Sequence, residues 1–517
     1  MSDNTKADMA VPEVVADDAT SSQGDVQAVR LAPNGNVMEN GLQKGFKGRH
    51  VQLFALGSVI GPSIWYGGGI GLQYGGPGTL LIAFLVLGID LYFVMQSLGE
   101  LSTLFPVPGA FNEWISVLAL EYNNLSLVMH LWTDVVPTYG WILISWVVAG
   151  ALVLFDVSIY GEIEFWFALW KVLCVACGFL LAILINTGAI GGKYIGFHYW
   201  KDPGAFVNGI NGFGQAFVLA AGYYAGSEVV AITGAEARNP RRHLPKAIRL
   251  SMLRIFVIFV GMIFFTTLLV PYDDPAFQLG TSKAGISPWT IALERAGWSG
   301  AQNLINVFIL TGYVSMTVLY ISSRVLVALS ISHRAPAFLA KTTERGVPVR
   351  AIIVCNLFGL IAIMNQAAGA ANVFGWIISI SGSATFIVWA FIGITHIRFR
   401  RAYARQGHDP KDLPFRAFLF PYGAYFVAGF NVFLIFISGY TAFLTPFNVA
   451  TFVTSYLVIV IFVILYLGWK ILKKTKWVKL EEMDLVTGRA SYDDRDDDES
   501  GPGLLTRLWR RVSDKRE

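Results

Sequence analysis

The sequence predicts an all-α integral membrane protein with about twelve spans. Three observations carry that reading. Hydrophobic residues make up 54% of the 517 positions and charged residues only 14%, where a soluble domain carries about 25% charged residues. The runs Leu80–Val94, Phe256–Val270, Ile377–Ile392 and Phe452–Leu467 are almost free of charge. With its flanks, each reaches the ~20 residues that cross a bilayer as a helix. Lysine and arginine gather between such runs in discrete clusters, the pattern of short loops on one face of a membrane.

The spans follow from the apolar runs in chain order. They are placed at 51–73, 79–104, 163–186, 209–235, 252–271, 302–330, 349–366, 372–396, 419–443 and 450–471. A further hydrophobic stretch, 111–156, is ambiguous. The basic clusters begin with Lys44, Lys47 and Arg49, then Arg238, Arg241, Arg242, Lys246 and Arg249. They continue with Arg334, Lys341, Arg345 and Arg350, with Arg398, Arg400, Arg401 and Arg405, and with Lys470, Lys473, Lys474 and Lys476. If all face the cytoplasm, an even number of crossings separates Arg49 from Arg238. Four spans are clear there, so 111–156 crosses twice or not at all. Two crossings would have to accept Glu113, Glu121, His130 and Asp134, although charge inside a membrane is costly. Counting two gives twelve spans and places both termini in the cytoplasm.

Residues 1–45 read as a disordered cytoplasmic tail, 46–477 as the transmembrane domain, and 478–517 as a cytoplasmic C-terminal tail. The first forty residues are polar and mostly acidic, with no apolar signal core, so the first span is expected to direct insertion.

Two spans are unsuited to continuous helix. The first holds Gly57, Gly61, Gly67, Gly68, Gly69 and Gly71 together with Pro62. The proline removes an N–H and crowds the preceding turn, and glycine costs extra backbone entropy in a helix. The 209–235 span holds Gly209, Gly212, Gly214, Gly222, Gly226 and Gly234. Gly57-x-x-x-Gly61 and Gly222-x-x-x-Gly226 share one spacing and fall in spans one and six of twelve, where two inverted five-span repeats would correspond. Small-residue helix packing explains either motif alone. Matched interruptions in two halves point to a transporter's binding site. Broken helix ends present N–H groups to a carboxylate and C=O groups to an ammonium, and a zwitterionic amino acid carries both.

Several stretches in order resemble the yeast-type amino-acid permeases of the amino acid–polyamine–organocation superfamily. They are RHVQLFALGSVIGPSIWYGGG, QSLGELSTLFPVPGAF from Gln96, YGEIEFWFALWKV from Tyr160, and GSEVVAITGAEARNPRRHLPKAI from Gly226. DLPFRAFLFPYGAY from Asp412 and KTKWVKLEEMDLVTGR from Lys474 complete the set. The resemblance covers about 45–490. It implies a LeuT-like (APC) fold, two inverted five-helix repeats plus two further helices, and proton-coupled amino-acid uptake across the plasma membrane. It also implies a substrate site at Ser58, Val59, Ile60, Gly61 and Ser63 in the first break and at Gly222, Tyr223, Tyr224 and Gly226 in the second. Three departures stand out. Pro62-Ser63 replaces the family's Thr-Gly, so a donor is lost that the Ser63 hydroxyl would have to restore. Gly222-Tyr223-Tyr224 replaces a Phe-Ser-Phe-like run. The 111–156 region is shorter than the family's.

Two charged residues are coupling candidates. Lys171 lies within the apolar run 165–184. The resemblance implies that it stands where sodium-dependent transporters bind sodium and that it exchanges a proton; snorkelling to an interface is the alternative. Glu228 closes the second break as a proton carrier or as an acceptor for freed N–H groups. Asp90, mid-span, reads as a hydrogen-bonding group of the bundle interior or as a second titrating site, the structural role being favoured, and Glu100 reads as structural. Trp65, Tyr66 and Trp376 are candidate gate or side-chain contacts. Cys174 and Cys177 read as two small buried residues of one helix.

No enzyme motif, metal-ligand spacing or nucleic-acid signature is present, so neither catalysis nor a cofactor beyond the proton gradient is expected. The expected partners are an amino acid, protons and the lipid bilayer. Trafficking or ubiquitination machinery would act on the tails. A transporter-like amino-acid receptor is the alternative function. Nothing in the sequence selects one amino acid, and the absence of an extra pocket acid favours neutral or broad-range substrates.

Overall fold

The computed structural model describes residues 30–31, 37–39, 42–43, 48–57, 60–104, 114–155, 157–224, 226–227, 240–279, 287–313, 317–331, 333–366 and 368–486. The architecture is helical. Three short antiparallel strands at Arg30–Leu31, Val37–Glu39 and Leu42–Gln43 stand in the stretch expected to be a structureless tail. Leu31 pairs with Val37 and Arg30 with Met38 in the register of the first two strands.

Helix α1, Gly48–Gly57, and helix α2, Ser63–Leu104, are separated by the first predicted break. α2 contains both the rest of span one and span two. They meet at a kink where Gly76 takes φ +79°, followed by Pro77. The kink is held from outside: Gly78 N–H donates to the Ala205 carbonyl (2.8 Å) and Val207 N–H to that of Gly75 (3.1 Å).

The ambiguous stretch resolves into α3, Trp114–Met129, and α4, Thr138–Val153. At 16 residues each they are about 24 Å long, short of the ~30 Å hydrocarbon core. His130 and Asp134 lie outside both helices. They pair at 3.1 Å in the intervening turn, where His130 Nε2 also meets Thr138 Oγ1 at 3.0 Å. The two helices are locked to a later one. Tyr122 donates to Asn356 Oδ1 (2.6 Å), and Asn356 and Trp146 exchange two bonds of 3.0 Å.

Next come α5, Val157–Asn186, and α6, Gly209–Tyr224. Span seven starts well before the predicted 252. It combines α7, Pro240–Leu253, a π-helical stretch Arg254–Val260, and α8, Gly261–Leu269. A short buried helix, α9 (Pro288–Arg295), follows. Then come α10 (Ala301–Tyr313), α11 (Thr317–Ile331) and α12 (Val349–Gly359). The last three are α13 (Ala368–Arg405), α14 (Tyr422–Ile437) and α15 (Val449–Leu472). Among the described residues six helical stretches are long and apolar enough to cross a membrane: Ile64–Leu104, Val157–Asn186, His243–Leu269, Ala301–Ile331, Tyr422–Phe443 and Ser455–Leu472. Thr138–Val153 and Val349–Met364 are shorter apolar helices.

Buried polar pairs fix helices to one another. Asn431 Nδ2 reaches both Asp90 oxygens at 3.2 and 3.0 Å, as expected of a bundle-interior group. Glu100, fully buried, accepts from Arg400 Nε and Nη2 and from the Ala417 N–H (2.8 Å), and lies 3.0 Å from His396 Nε2. The chain after α15 folds back: Leu485 joins Leu104, Phe399, Tyr403 and Leu413 in a small apolar cluster, and Gln406 Nε2 donates to the Leu480 and Met483 carbonyls.

Candidate substrate and coupling site

The first break lies where glycine and proline place it. Helix stops at Gly57 and resumes at Ser63, and the new helix opens with Ile64 and Trp65 N–H groups turned toward the Gly61 and Pro62 carbonyls (3.5 and 3.2 Å). Ile60 is buried and Gly61 half-buried. Ser58, Val59 and the Ser63 side chain lie outside the described residues. Against this break stands α10. An added Cβ on Gly312 would come within 2.9 Å of Pro62 N and 3.1 Å of its Cα, so only a glycine permits the approach.

The second break follows α6. Gly226 takes φ +90°, a conformation that costs L side chains strain. Ser227 turns back, its N–H and hydroxyl both donating to the Tyr224 carbonyl at 3.3 and 2.8 Å. These bonds satisfy a helix-end acceptor that would otherwise be orphaned. Glu228 lies outside the described residues.

The aromatic pair at that break divides. Tyr224 turns into the core, donating to the Phe84 carbonyl (2.9 Å) and packing edge-on against Phe259 at 5.1 Å. Tyr223 packs edge-on against the same Phe84 ring (5.6 Å), but its hydroxyl reaches span one and fills the space that a Cβ on Gly67 would need. Gly222 lies on an exposed face, where an added Cβ would meet nothing within 4 Å.

Lys171 is buried, and it opens into one narrow cleft with Ile60 and Gly61 of the first break, Trp65, Cys174, and Phe308, Thr311 and Gly312 of α10. The structure thus brings Lys171 and the first break together. Sequence reasoning missed the α10 wall, where Thr311-Gly312 carries no charge or spacing signal. Two carboxylates face the ammonium, Glu164 two turns back on α5 and Glu121 of α3. Glu164 Oε1 accepts from Thr317 Oγ1 (3.1 Å). Glu121, noted in the sequence only as an expensive charge, has its Oε2 buried without a hydrogen-bond partner. Beside it Tyr160 stacks on Tyr320 (4.1 Å), over which the buried Arg324 guanidinium sits at 3.6 Å.

The cysteine expectation needs correction. Cys174 is buried and lines the cleft, but Cys177 is exposed; residues three apart on a helix share a flank, not a depth. On the far side α9 closes over span one: Trp289 meets Trp65 edge-on at 5.5 Å, and Ser287 Oγ donates to the Trp65 carbonyl. The Trp376 side chain lies outside the described residues. No group of three or more His, Cys, Asp or Glu able to hold a metal is present among the described residues.

The amino acid permease family model matches residues 50–117 and 111–482. The chain belongs to the amino acid permease family. The two matched segments overlap at 111–117, where α3 begins. The permease is 38% identical to the general amino acid permease AGP3 of Saccharomyces cerevisiae, over 87% of this chain and 85% of that one. It is 34% identical to the lysine-specific permease of the same yeast, over 91% and 83% of the two chains. It is also 34% identical to that yeast's basic amino-acid permease, over 88% and 85%. A solved manganese transporter of Eremococcus coleocola shares the fold with a TM-score of 0.52, at 12% identity, over 82% of this chain and 94% of that one. The fold is LeuT-like, and the protein is a multi-pass membrane transporter of amino acids, not an enzyme.

Proposed function

We propose that this permease takes up α-amino acids across the plasma membrane by proton symport with alternating access, with both termini cytoplasmic. One observation supports the coupling most: the Lys171 ammonium shares a cleft with the Ile60–Gly61 backbone and faces Glu164 and Glu121. A proton gained or lost at Lys171 changes the charge beside the first break by one unit, and in a membrane interior such a change is felt strongly. The substrate carboxylate takes the N–H groups of the first break, and its ammonium takes carbonyls of both breaks. Glu228 remains a second candidate for the proton. The gradient is the only co-reactant this reading requires, and the tails are left to trafficking or ubiquitination machinery.

The test is uptake of a labelled amino acid into proteoliposomes under an inward proton gradient, with sodium or choline outside. Accumulation should follow the proton gradient, collapse with a protonophore and ignore the cation. Uptake that tracks sodium would defeat proton coupling. Saturable binding with no flux would establish the receptor reading instead.

A further inference from the structure

Far from the substrate cleft, on the face where α13 and α15 end and α14 begins, cations and aromatic rings share one patch. The outer surface of α15 stays apolar almost to its last residue, with Leu465, Trp469, Ile471 and Leu472 all exposed. Lys470 and Lys473 interrupt it only at the end. The chain then turns, and the exposed Trp477 ring carries two cations: the Arg398 guanidinium lies 4.2 Å from its centroid and Lys470 Nζ 5.7 Å from it. Lys473 Nζ lies 5.6 Å from the centroid of Trp469. One turn on from Arg398, Arg401 Nη2 donates to the Tyr425 hydroxyl (2.6 Å).

Among the described residues none of Arg398, Arg401, Lys470 and Lys473 forms an ion pair with a carboxylate, whereas cations farther along the same segments do: Arg405 pairs with Glu481 (3.3 Å) and Lys479 with Glu482 (3.7 Å). Arg398 gives one N–H to the Val478 carbonyl (2.6 Å) and Arg401 one to a neutral phenol. A guanidinium has five N–H donors, so both keep donors free for an anion. The four cations stand where α15 leaves the apolar layer, beside Trp469 and Trp477, and tryptophan favours the membrane–water interface. The anion available at that depth is a phospholipid headgroup, whose phosphate a guanidinium meets with two parallel N–H donors. The preference for basic loops on one side of a membrane accounts for the sign of the charge. It does not account for rings placed under the charges, which hold them at the interface by cation–π attraction.

We propose that Arg398, Arg401, Lys470 and Lys473 bind the headgroup of an anionic phospholipid in the leaflet from which α15 emerges, with Trp469 and Trp477 packed beside it. With the orientation proposed above this is the cytoplasmic leaflet, whose surface is negative; the site itself requires only that the chain spans a membrane. The other anion at hand is the chain's own acidic run, Asp493–Glu499. The lipid is favoured because the exposed Ile471 and Leu472 flank the cations. Acyl chains cover that apolar surface, and a hydrated run of carboxylates does not.

The experiment is lipid retention. Full-length permease in detergent is incubated with equal amounts of phosphatidylserine and phosphatidylcholine of matched acyl chains and passed through gel filtration, and its bound lipid is measured by mass spectrometry. Phosphatidylserine should be retained in preference, and less so as salt rises. Arg398→Gln combined with Lys470→Gln should lower its retention about five- to twentyfold, each cation near a headgroup being worth about fivefold, and leave phosphatidylcholine unchanged. Lys470→Gln combined with Lys473→Gln keeps the Arg398 bond to Val478; it should act likewise, and it decides the result if the first variant does not fold. Arg405→Gln, whose partner is Glu481, should match the wild type, as should truncation after Arg489, which removes the acidic run. Excess inorganic phosphate should not displace the lipid. Equal retention of the two lipids by the wild type, retention of phosphatidylserine that survives the double variants, or an equal loss in Arg405→Gln overturns the inference. So does displacement by inorganic phosphate, which would make this a site for a soluble anion. So does phosphatidylserine retention that appears only on truncation, which would assign the patch to the acidic run. None of these outcomes bears on amino-acid transport.

Discussion

Lys171 is the residue on which the coupling argument turns, because it is placed by α5 against a break in another helix and against carboxylates from two elements. Lys171→Met keeps the aliphatic length and removes the titrating group. The expected outcome is normal surface expression, retained exchange of labelled for unlabelled amino acid, and loss of accumulation against a gradient. Accumulation that survives the change would remove Lys171 from the coupling role. At this scale the sequence was legible where chemistry is expensive. A lysine in an apolar run and a proline between glycines announce themselves, and so did Asp90, which meets Asn431 inside the bundle. It was silent where the work is steric. Nothing marks Gly312 in sequence, although Pro62 lies closer to its α-carbon than a methyl group allows. Nor does the sequence say that Tyr223 and Tyr224, which pack on one Phe84 ring, send their hydroxyls to different spans, since that depends on where α6 sits.

The elements show why apolar runs located spans better than they bounded them. α13 runs to Arg405 and α7 begins at Pro240, because a helix continues past the membrane as long as its ends find partners. For α13 those partners are polar. Glu100 of α2 holds Arg400 and His396 together with the Ala417 N–H, and Ser97 meets His396 Nδ1 at 3.0 Å. Removing one member of a buried charge pair costs about 3–5 kcal/mol because its partner is left uncompensated. Glu100→Gln should therefore lower the melting temperature of purified permease more than Glu100→Gln combined with Arg400→Met does. Equal melting temperatures for the single and double variants would show that Arg400 finds its compensation elsewhere. The shortness of α3 and α4 could not be read from hydropathy, because an apolar run of one crossing plus a turn and one of two short crossings have the same composition. Charge parity left both answers open.

At the scale of the whole molecule, span one is held at both of its ends. Toward the far side, α9 lies on Trp65 through Trp289 and Ser287. At the end predicted to be cytoplasmic, Arg49 pairs with Glu162 of α5, and the buried His50 meets the same carboxylate at 3.1 Å, with Phe165 beneath the Arg49 guanidinium at 5.6 Å. Under the alternating access proposed above, one hold is released while the other is kept, and the balance between the two states is set by their free-energy difference. The Arg49–Glu162 pair is partly exposed, with side-chain exposures of 54% and 40%, so it contributes no more than about 1 kcal/mol. Glu162→Gln should accordingly shift the balance between states by about fivefold at most. It should raise the efflux rate from preloaded proteoliposomes and weaken external substrate affinity by a similar factor, while folding and insertion stay unchanged. Efflux and external affinity that both match the wild type would mean that α1 is retained by its packing against α5 and α7 rather than by the ion pair. A loss of insertion would mean that Glu162 holds the fold together rather than the gate.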